Sequence, residues 1–336
     1  MKQALFYSAL GENIVQCDLC PHHCTIKPDQ TGICRVRKNI DGTLFSLVYG
    51  HPVTQSVDPI EKKPLFHFYP GSKTFSIATV GCNLHCKHCQ NADISQTSAD
   101  HSSLMKVSAE SIVESAKNCN AHSISYTYTE PTIFYEYAFD IASIAHDHDL
   151  KNVFVTNGYI SKEPLEKIAP FIDGANIDLK AMNDEFYKRV CGARLQPVLD
   201  AIKIYIEQEI WVEITTLIIP GYNDDEQELQ KIAKFIYDIN PEIPWHVTGF
   251  SPSFQLTEIS PTTIAMLEKA ISIGKENGLS YIYPGNRGFG EHTICPICNK
   301  DLIRRDGFHV TNNKIIKNKC PDCQATINGV GLDWNR

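Results

Sequence analysis

Long apolar runs are missing from this chain. No uninterrupted hydrophobic stretch approaches the ~18 residues that a membrane-spanning helix requires. The early apolar segment Ala4-Leu5-Phe6-Tyr7 is too short for the core of an export signal, and polar Glu12 and Asn13 follow closely. The expected location is the cytoplasm, with no membrane partner. An excess of positive charge is missing too: 31 Lys and Arg stand against 39 Asp and Glu, a net charge of −8. That balance lacks the electrostatic footprint of general nucleic-acid binding. No Gly-x-Gly-x-x-Gly follows the first predicted strand of the central region, which counts against a dinucleotide-binding open sheet. Low-complexity tracts and simple repeats are also absent. With 43% hydrophobic and 21% charged residues, 336 residues suffice for one large buried core with small appendages.

Cysteine, by contrast, is plentiful, at thirteen residues. Without an export signal disulfides lack a rationale, and an odd count would leave one thiol over. Eleven of the thirteen fall into three tight groups, as metal ligands do. Cys119 and Cys191 stand alone and read as packed thiols.

Three regions emerge. Residues 1–72 hold the first cysteine group and end in the turn-rich Tyr69-Pro70-Gly71-Ser72. Residues 73–288 alternate apolar runs with helical stretches, and residues 289–336 are short, polar and cysteine-paired. In the central region strands are predicted at 75–81, 123–129, 152–158, 174–180, 211–219, 245–250 and 280–285. Helices are predicted over 108–118, 132–147, 162–169, 225–239 and 261–277, with spacing such as Ile232, Phe235, Ile236 and Ile239. This alternation predicts an α/β fold with a parallel sheet, closed wholly or partly into a barrel. Catalytic groups then belong at the C-terminal ends of the strands.

Straight after the first of these strands comes Gly81-Cys82-Asn83-Leu84-His85-Cys86-Lys87-His88-Cys89-Gln90-Asn91. Three thiolates at C-x3-C-x2-C spacing suit a 4Fe–4S cluster with one iron left without a protein ligand. A zinc site completed by His85 or His88 is the rival reading. The loop's position at a strand's C-terminal end favours the reactive cluster.

Further along, Asp178 and Lys180 alternate with Ile177 and Leu179, so the two charges share one face of a strand. Pointing inward, they need each other or a ligand, because unpaired buried charge is costly. Glu130 opens a helix, where an acid favours the dipole, and Asn157-Gly158 fits a plain turn. His246, at the start of its strand, reads as structural.

The tail carries Cys295-x2-Cys298 and Cys320-x2-Cys323, a zinc-ribbon or rubredoxin-like pattern for zinc or iron, taken as structural. At the front, Cys17, Cys20, Cys24 and Cys34 form another four-thiolate group; zinc and an auxiliary iron–sulfur cluster are both open there.

The loop GCNLHCKHCQN in this setting resembles the radical SAM superfamily, whose fold is a full or partial βα barrel. More narrowly, the chain is similar to the radical SAM component of AmmeMemoRadiSam systems, a relative of the pyruvate formate-lyase activating enzymes. The segments that carry this are CDLCPHHC (17–24), DPIEKKPLFHF (58–68), QNADISQ (90–96), YTYTEPT (126–132), VTNG (155–158), NIDLK (176–180), LIIPGYND (217–224) and the tail cysteines. The resemblance implies that Cys82, Cys86 and Cys89 hold a 4Fe–4S cluster whose open iron takes S-adenosylmethionine (SAM). An external one-electron reductant of flavodoxin or ferredoxin type would drive SAM cleavage to methionine and a 5′-deoxyadenosyl radical, which takes hydrogen from a substrate. His88, Gln90, Thr129, Glu130, Thr156, Asn157, Asp178 and Lys180 are the implied SAM contacts. Thr129-Glu130-Pro131 departs from the GGEP segment of the activating enzymes, and Ser251 stands where those enzymes place a histidine. A backbone glycine of a partner enzyme and a small molecule are both open as substrate, and AMMECR-type and Memo-type proteins are implied partners. The competing readings are a non-catalytic iron–sulfur or zinc protein for electron transfer, and an interaction module built on the zinc ribbon.

Overall fold

Seven strands run parallel in the order in which the chain makes them. The computed structural model describes residues 1–99 and 105–334. Its main sheet contains β1 (Thr54–Pro59), β2 (Lys73–Ala78), β3 (Ser123–Tyr126), β4 (Lys151–Thr156), β5 (Gly174–Asp178), β6 (Trp211–Ile218), β7 (Trp245–Gly249) and β8 (Ile282–Gly285). Edge strand β1 pairs antiparallel with β2, and each later pair is parallel. Crossovers between parallel strands are almost always right-handed. An order that never reverses therefore sends every crossover helix to one face and leaves the other as an interior. A doubly wound sheet needs a reversal and a switch point; this sheet has none. Its edges, β1 and β8, do not pair with each other, so the result is a partial barrel.

Among the described residues, the helices of seven residues or more are α1 (Ala109–Asn118), α2 (Tyr135–His146), α3 (Lys162–Ile168), α4 (Leu195–Glu207), α5 (Glu226–Ile239) and α6 (Ile264–Glu276). Ser108, Asp225 and Thr263 begin α1, α5 and α6 by accepting a hydrogen bond from the backbone N–H three residues on. Every residue of β3 and β7 is buried, as a parallel strand covered on both sides requires.

All seven predicted strands are present, but six of the predictions overrun the C-terminal ends, and the last, 280–285, starts two residues early. Residues 79–81, 127–129, 157–158 and 179–180 leave the ladder and form the loops at the rim. Helix α4 is not among the predicted helices, although Val198, Leu199, Ile202 and Tyr205 carry a helical spacing and are buried. Strand β1 lies in the region expected to precede the barrel, yet it forms the barrel's edge. Ahead of it are two small antiparallel sheets: Lys2–Gln3, Thr43–Ser46 and Arg37–Ile40 make one, and Tyr7–Gly11, Ile14–Cys17 and Thr25–Ile26 the other. Among the described residues, no helix is long and apolar enough to cross a membrane.

The tail forms a third small sheet, Thr293–Ile294, Asp301–Asp306 and His309–Asn313. Its core borrows from the barrel: Leu302, Ile303, Ile315, Ile327 and Leu332 pack with Phe66, Tyr281 and Tyr283. Buried Arg305 donates to the Phe66 carbonyl at 2.8 Å and sits 4.2 Å from the centre of that residue's ring. His67 bonds to the Asn328 carbonyl at 2.6 Å and to the Tyr283 hydroxyl at 2.7 Å. Glu213, fully buried, accepts from the N–H groups of Phe66 at 2.9 Å and His67 at 2.7 Å, and meets His246 at 2.6 Å. His246 is thus part of the frame that seats the tail.

Burial holds His67 down to about 4, against the pull of Glu213. The unfolded chain takes up that proton near the ordinary value of about 6.5, so the native state gives way as pH falls through the window between the two. The loss for His67 alone is about 3 kcal/mol. Urea midpoints should therefore drop between about pH 7 and about pH 4.5, and His67→Gln should flatten that part of the profile.

Candidate active site

Beyond β2 the chain turns through Thr79–Gly81 into the cysteine loop. Gly81 has a φ of +95°, and a Cβ there would lie 2.6 Å from Val36 Cγ1 and 2.8 Å from the Cys34 carbonyl oxygen. Only glycine lets the loop press this closely on the N-terminal sheets. Cys82, Cys86 and Cys89 are all free of disulfides. The Leu84 N–H points at Cys82 Sγ from 3.3 Å, and the Ser95 hydroxyl lies 3.1 Å from Cys89 Sγ. The loop is anchored on a π-helical turn, Tyr187–Cys191: the His85 N–H donates to Cys191 at 2.8 Å and the Lys87 N–H to Val190 at 2.9 Å. Such turns concentrate at functional sites. Cys191, read from sequence as a packed thiol, is buried there with its thiol hydrogen-bonded to Cys86. Nothing in its sequence neighbourhood signals that contact.

The three cysteines open onto a cavity of about 320 Å³ at the C-terminal rim of the sheet. His88 and Gln90 join them from the loop, Thr129 from beyond β3, Thr156 and Asn157 from the end of β4 and just past it, and Asp178 and Lys180 from the end of β5 and just past it. Lys62, Lys63 and Tyr128, which the site prediction lacks, complete one wall.

Lys180 Nζ lies 2.7 Å from Asp178 Oδ2. Burial works against the lysine's charge, but Asp178 and the thiols of Cys86 and Cys191 outweigh it and hold Lys180 well above its ordinary range. A fixed cation therefore stands beside the cysteine loop. Burial, with Lys180 next in importance, pushes His88 down to about 3, so its ring is neutral. Its buried Nδ1 has no hydrogen-bond partner among the described residues.

Glu130 is the exception among the predicted contacts: it does not line the cavity. It is wholly buried, and Oε1 accepts from the Thr132 N–H at 3.0 Å, the Thr132 hydroxyl at 2.6 Å and the Thr156 hydroxyl at 2.8 Å. Oε2 accepts from the Asn157 N–H at 2.8 Å. Three of these four donors crowd Oε1 and one reaches Oε2, and the carboxylate is wholly buried away from the cavity. The structure places Glu130 outside the cavity lining, where it ties the end of β3 to the end of β4. Burial pushes the Glu130 carboxyl above its usual range, opposed by those four bonds. Thr156 is occupied by Glu130 in the same way, and Asn157 Nδ2 donates to Asn83 Oδ1 at 2.9 Å and points at Cys82 Sγ from 3.7 Å. Both side chains already serve the rim's own structure.

Tyr128 solves the problem set by the missing glycines. Its φ is +66°, a left-handed conformation that costs an ordinary residue roughly 1–2 kcal/mol. Its hydroxyl donates to Asp58 Oδ2 at 2.5 Å, and Lys63 Nζ lies 4.3 Å from the ring centre. Asp58 also meets Lys62 and Lys63, each at 2.8 Å, and the Ser76 hydroxyl at 2.7 Å. Burial opposes its charge, but these partners outweigh burial and hold the carboxyl well below the usual range.

Away from this cavity lie the other two cysteine groups. Cys17, Cys20, Cys24 and Cys34 line a separate hollow behind the loop. In the tail, the sulfurs of Cys295, Cys298, Cys320 and Cys323 all lie within 4.8 Å of one another, with pairs at 3.6 Å. A tetrahedron of zinc–sulfur bonds of about 2.3 Å has edges of about 3.8 Å, so the quartet fits a single ion.

The profile of the radical SAM superfamily matches residues 76–236, the stretch from β2 through α5. An uncharacterized protein of Methanocaldococcus jannaschii is 44% identical over 332 residues, which cover 97% of this chain and 99% of that one. The chain belongs to the radical SAM superfamily. It is an enzyme of the SAM-cleaving class, with a 4Fe–4S cluster and SAM as cofactors. The pyruvate formate-lyase 1-activating enzyme of Escherichia coli K12 is 22% identical over 213 residues, 59% of this chain and 87% of its own. Two solved structures share the fold. A radical SAM methyltransferase from Sphaerobacter thermophilus has a TM-score of 0.51 at 15% identity, over 66% of this chain and 68% of that one. Streptococcus suis SuiB bound to S-adenosylmethionine has 0.51 at 16%, over 67% and 52%. The cavity suits the superfamily's cofactors on its own chemistry: three thiols free of disulfides and a neighbouring cation line it together.

Asp58→Asn should leave Lys63 buried without its counter-charge and cost about 3–5 kcal/mol. Denaturant titration should record that loss, and adding Lys63→Met should recover part of it. In the tail, Cys295→Ser with Cys298→Ser should remove about one zinc ion per chain by metal analysis. The melting temperature should fall with it, because binding energy in so small a module is folding energy.

Proposed function

We propose that Cys82, Cys86 and Cys89 are the three protein ligands of the 4Fe–4S cluster and that the cavity they open onto receives SAM. One observation carries this: three unpaired thiols from a single loop face a cavity walled by the C-terminal ends of the parallel strands. When bound, the cluster supplies the electron that splits SAM into methionine and a 5′-deoxyadenosyl radical able to take hydrogen from a substrate.

The chain's own residues divide the remaining work. Lys180, fixed by Asp178, offsets negative charge at the thiolates and at the carboxylate of SAM. Neutral His88, Gln90 and Thr129 border the space the ligand takes. Glu130, Thr156 and Asn157 act as positioning residues, holding β3 and β4 at the spacing the loop requires. We assign residues 1–72 to a cysteine-rich front that also lends the barrel its edge strand β1, 73–288 to the rest of the catalytic barrel and 289–336 to a metal-bound tail.

For the substrate, kinship with glycyl-radical activating enzymes supports a backbone glycine of a partner enzyme, with a small molecule as the alternative. The motif resemblance to AmmeMemoRadiSam systems adds AMMECR-type and Memo-type proteins as candidate partners. An external one-electron reductant in the cytoplasm, of flavodoxin or ferredoxin type, completes the reading.

Protein reconstituted anaerobically with iron and sulfide, then given SAM and dithionite, should yield 5′-deoxyadenosine and methionine by chromatography. The triple variant Cys82→Ala/Cys86→Ala/Cys89→Ala should yield neither, and undiminished cleavage by it would refute the assignment. Asp178→Asn should weaken SAM binding while sparing the cluster's visible absorbance.

A further inference from the structure

We propose that Cys17, Cys20, Cys24 and Cys34 hold a second iron–sulfur cluster, set against the back of the loop that carries Cys82. All four side chains line one hollow, with Leu19 and Ile26 among its apolar walls. The fold brings them there from separate places. Cys17 ends the strand Ile14–Cys17, and its N–H donates to the Cys24 carbonyl at 2.9 Å across the turn that carries Cys20. Cys34 arrives from the loop ahead of Arg37–Ile40. Cys17 and Cys34 are buried.

The spread of the thiols separates this site from the tail. One metal ion draws four sulfurs onto a tetrahedron with edges of about 3.8 Å, and the tail quartet has that arrangement. Among the described residues, the tail is the only group of three or more Cys, His, Asp or Glu whose ligand atoms all lie within 4.8 Å of one another. The front quartet surrounds its hollow without closing on a point. That arrangement suits a cluster, whose thiolates bind different irons with inorganic sulfide between them.

The wall of the hollow adds a second, independent observation. Arg37, 1% exposed, lines it. Its terminal nitrogens are taken by Glu136, at 2.9 and 3.1 Å, and by the Leu5 carbonyl at 2.6 Å. Its buried Nε has no hydrogen-bond partner among the described residues. A fixed positive group with a spare N–H suits a cluster that carries negative charge, and hydrogen bonds to cluster sulfur tune its potential.

Two contacts join this site to the loop. Gly81 abuts the Cys34 carbonyl, and His22, between Cys20 and Cys24, donates from Nε2 to the Asn83 carbonyl at 2.7 Å. Gly81 and Asn83 flank Cys82 in the chain. The claim of two neighbouring clusters rests on the assignment of Cys82, Cys86 and Cys89 given above; occupancy of the front site does not.

The test uses the full chain with Cys82, Cys86 and Cys89 all replaced by alanine, reconstituted anaerobically with iron and sulfide. It should keep iron and sulfide in equal amounts, about two to four of each per chain, with visible absorbance that bleaches on reduction. Adding Cys20→Ala and Cys24→Ala should abolish both. Zinc in place of iron at the front site, or no metal beyond the tail ion, overturns the proposal. Should the variant fail to fold by circular dichroism, wild-type protein decides by inorganic sulfide, which an iron in the tail quartet does not carry: more than about four sulfides per chain supports a second cluster, and about four or fewer overturns it. Neither result depends on SAM cleavage, so wild type that cleaves SAM with one cluster refutes this proposal alone. For adjacency, the reduced wild-type paramagnetic resonance spectrum should be broader than the sum of the two single-site variants. A simple sum refutes the contact.

Discussion

The Glu130 carboxylate sits where β3 and β4 run out of ladder, and four hydrogen bonds from Thr132, Thr156 and Asn157 converge on it. Two parallel strands splay beyond their last shared bond unless something spans them. A buried carboxylate does so strongly, because its bonds are charge-assisted. From Asn157 the support runs to Asn83 and Cys82, and from Asn83 to the Tyr159 carbonyl at 2.7 Å. The cysteine loop, a long excursion with little regular structure, thereby inherits the rigidity of the sheet. Loss of this one acid would remove the side-chain bonds that tie the end of β3 to the end of β4 and steady the loop beside them.

Charge in the cavity follows a consistent arrangement. Each buried cation has an acid within hydrogen-bond reach: Lys180 has Asp178, and Lys63 has Asp58. Neither pair stands free of the chemistry, since Lys180 borders the thiols and the Asp58 group steadies the left-handed Tyr128. Such pairs add little net stability over an apolar filling. What they provide is a polar interior whose groups already point the right way before any ligand arrives, which is how preorganised sites work.

Much of this was legible in the sequence, and the reason differs from feature to feature. Cysteine spacing is local, so the loop and the tail quartet could be read directly. The parallel sheet followed from alternation, because β2 to β8 each carry their own apolar run. Strand ends could not be read: 79–81 and 127–129 continue the apolar or threonine-rich pattern after the ladder has stopped, since composition does not record where pairing ends. Helix α4 was missed although its spacing was available in Val198, Leu199, Ile202 and Tyr205. Strand β1 is an edge strand with alternating exposure, and its polar residues Gln55, Ser56 and Asp58 hid it. Glu130 and Cys191 owe their roles to partners 26 and 105 positions away, Thr156 and Cys86, and no local pattern announces such contacts.

The seating of the tail has a consequence for how the chain acquires its structure. Neighbouring strands of the sheet are joined by single crossovers, so the barrel can grow strand by strand as the polypeptide emerges. Arg305 and Asn328, however, meet Phe66 and His67 across 239 and 261 positions. Contacts that distant form late, because closing a loop costs more entropy as it lengthens. Until the tail arrives, the Phe66 carbonyl and the His67 ring lack these partners, and the apolar faces of Tyr281 and Tyr283 lie open. A nascent chain stalled before the tail would therefore present a nearly complete barrel with one adhesive flank, the form that chaperones and proteases recognise.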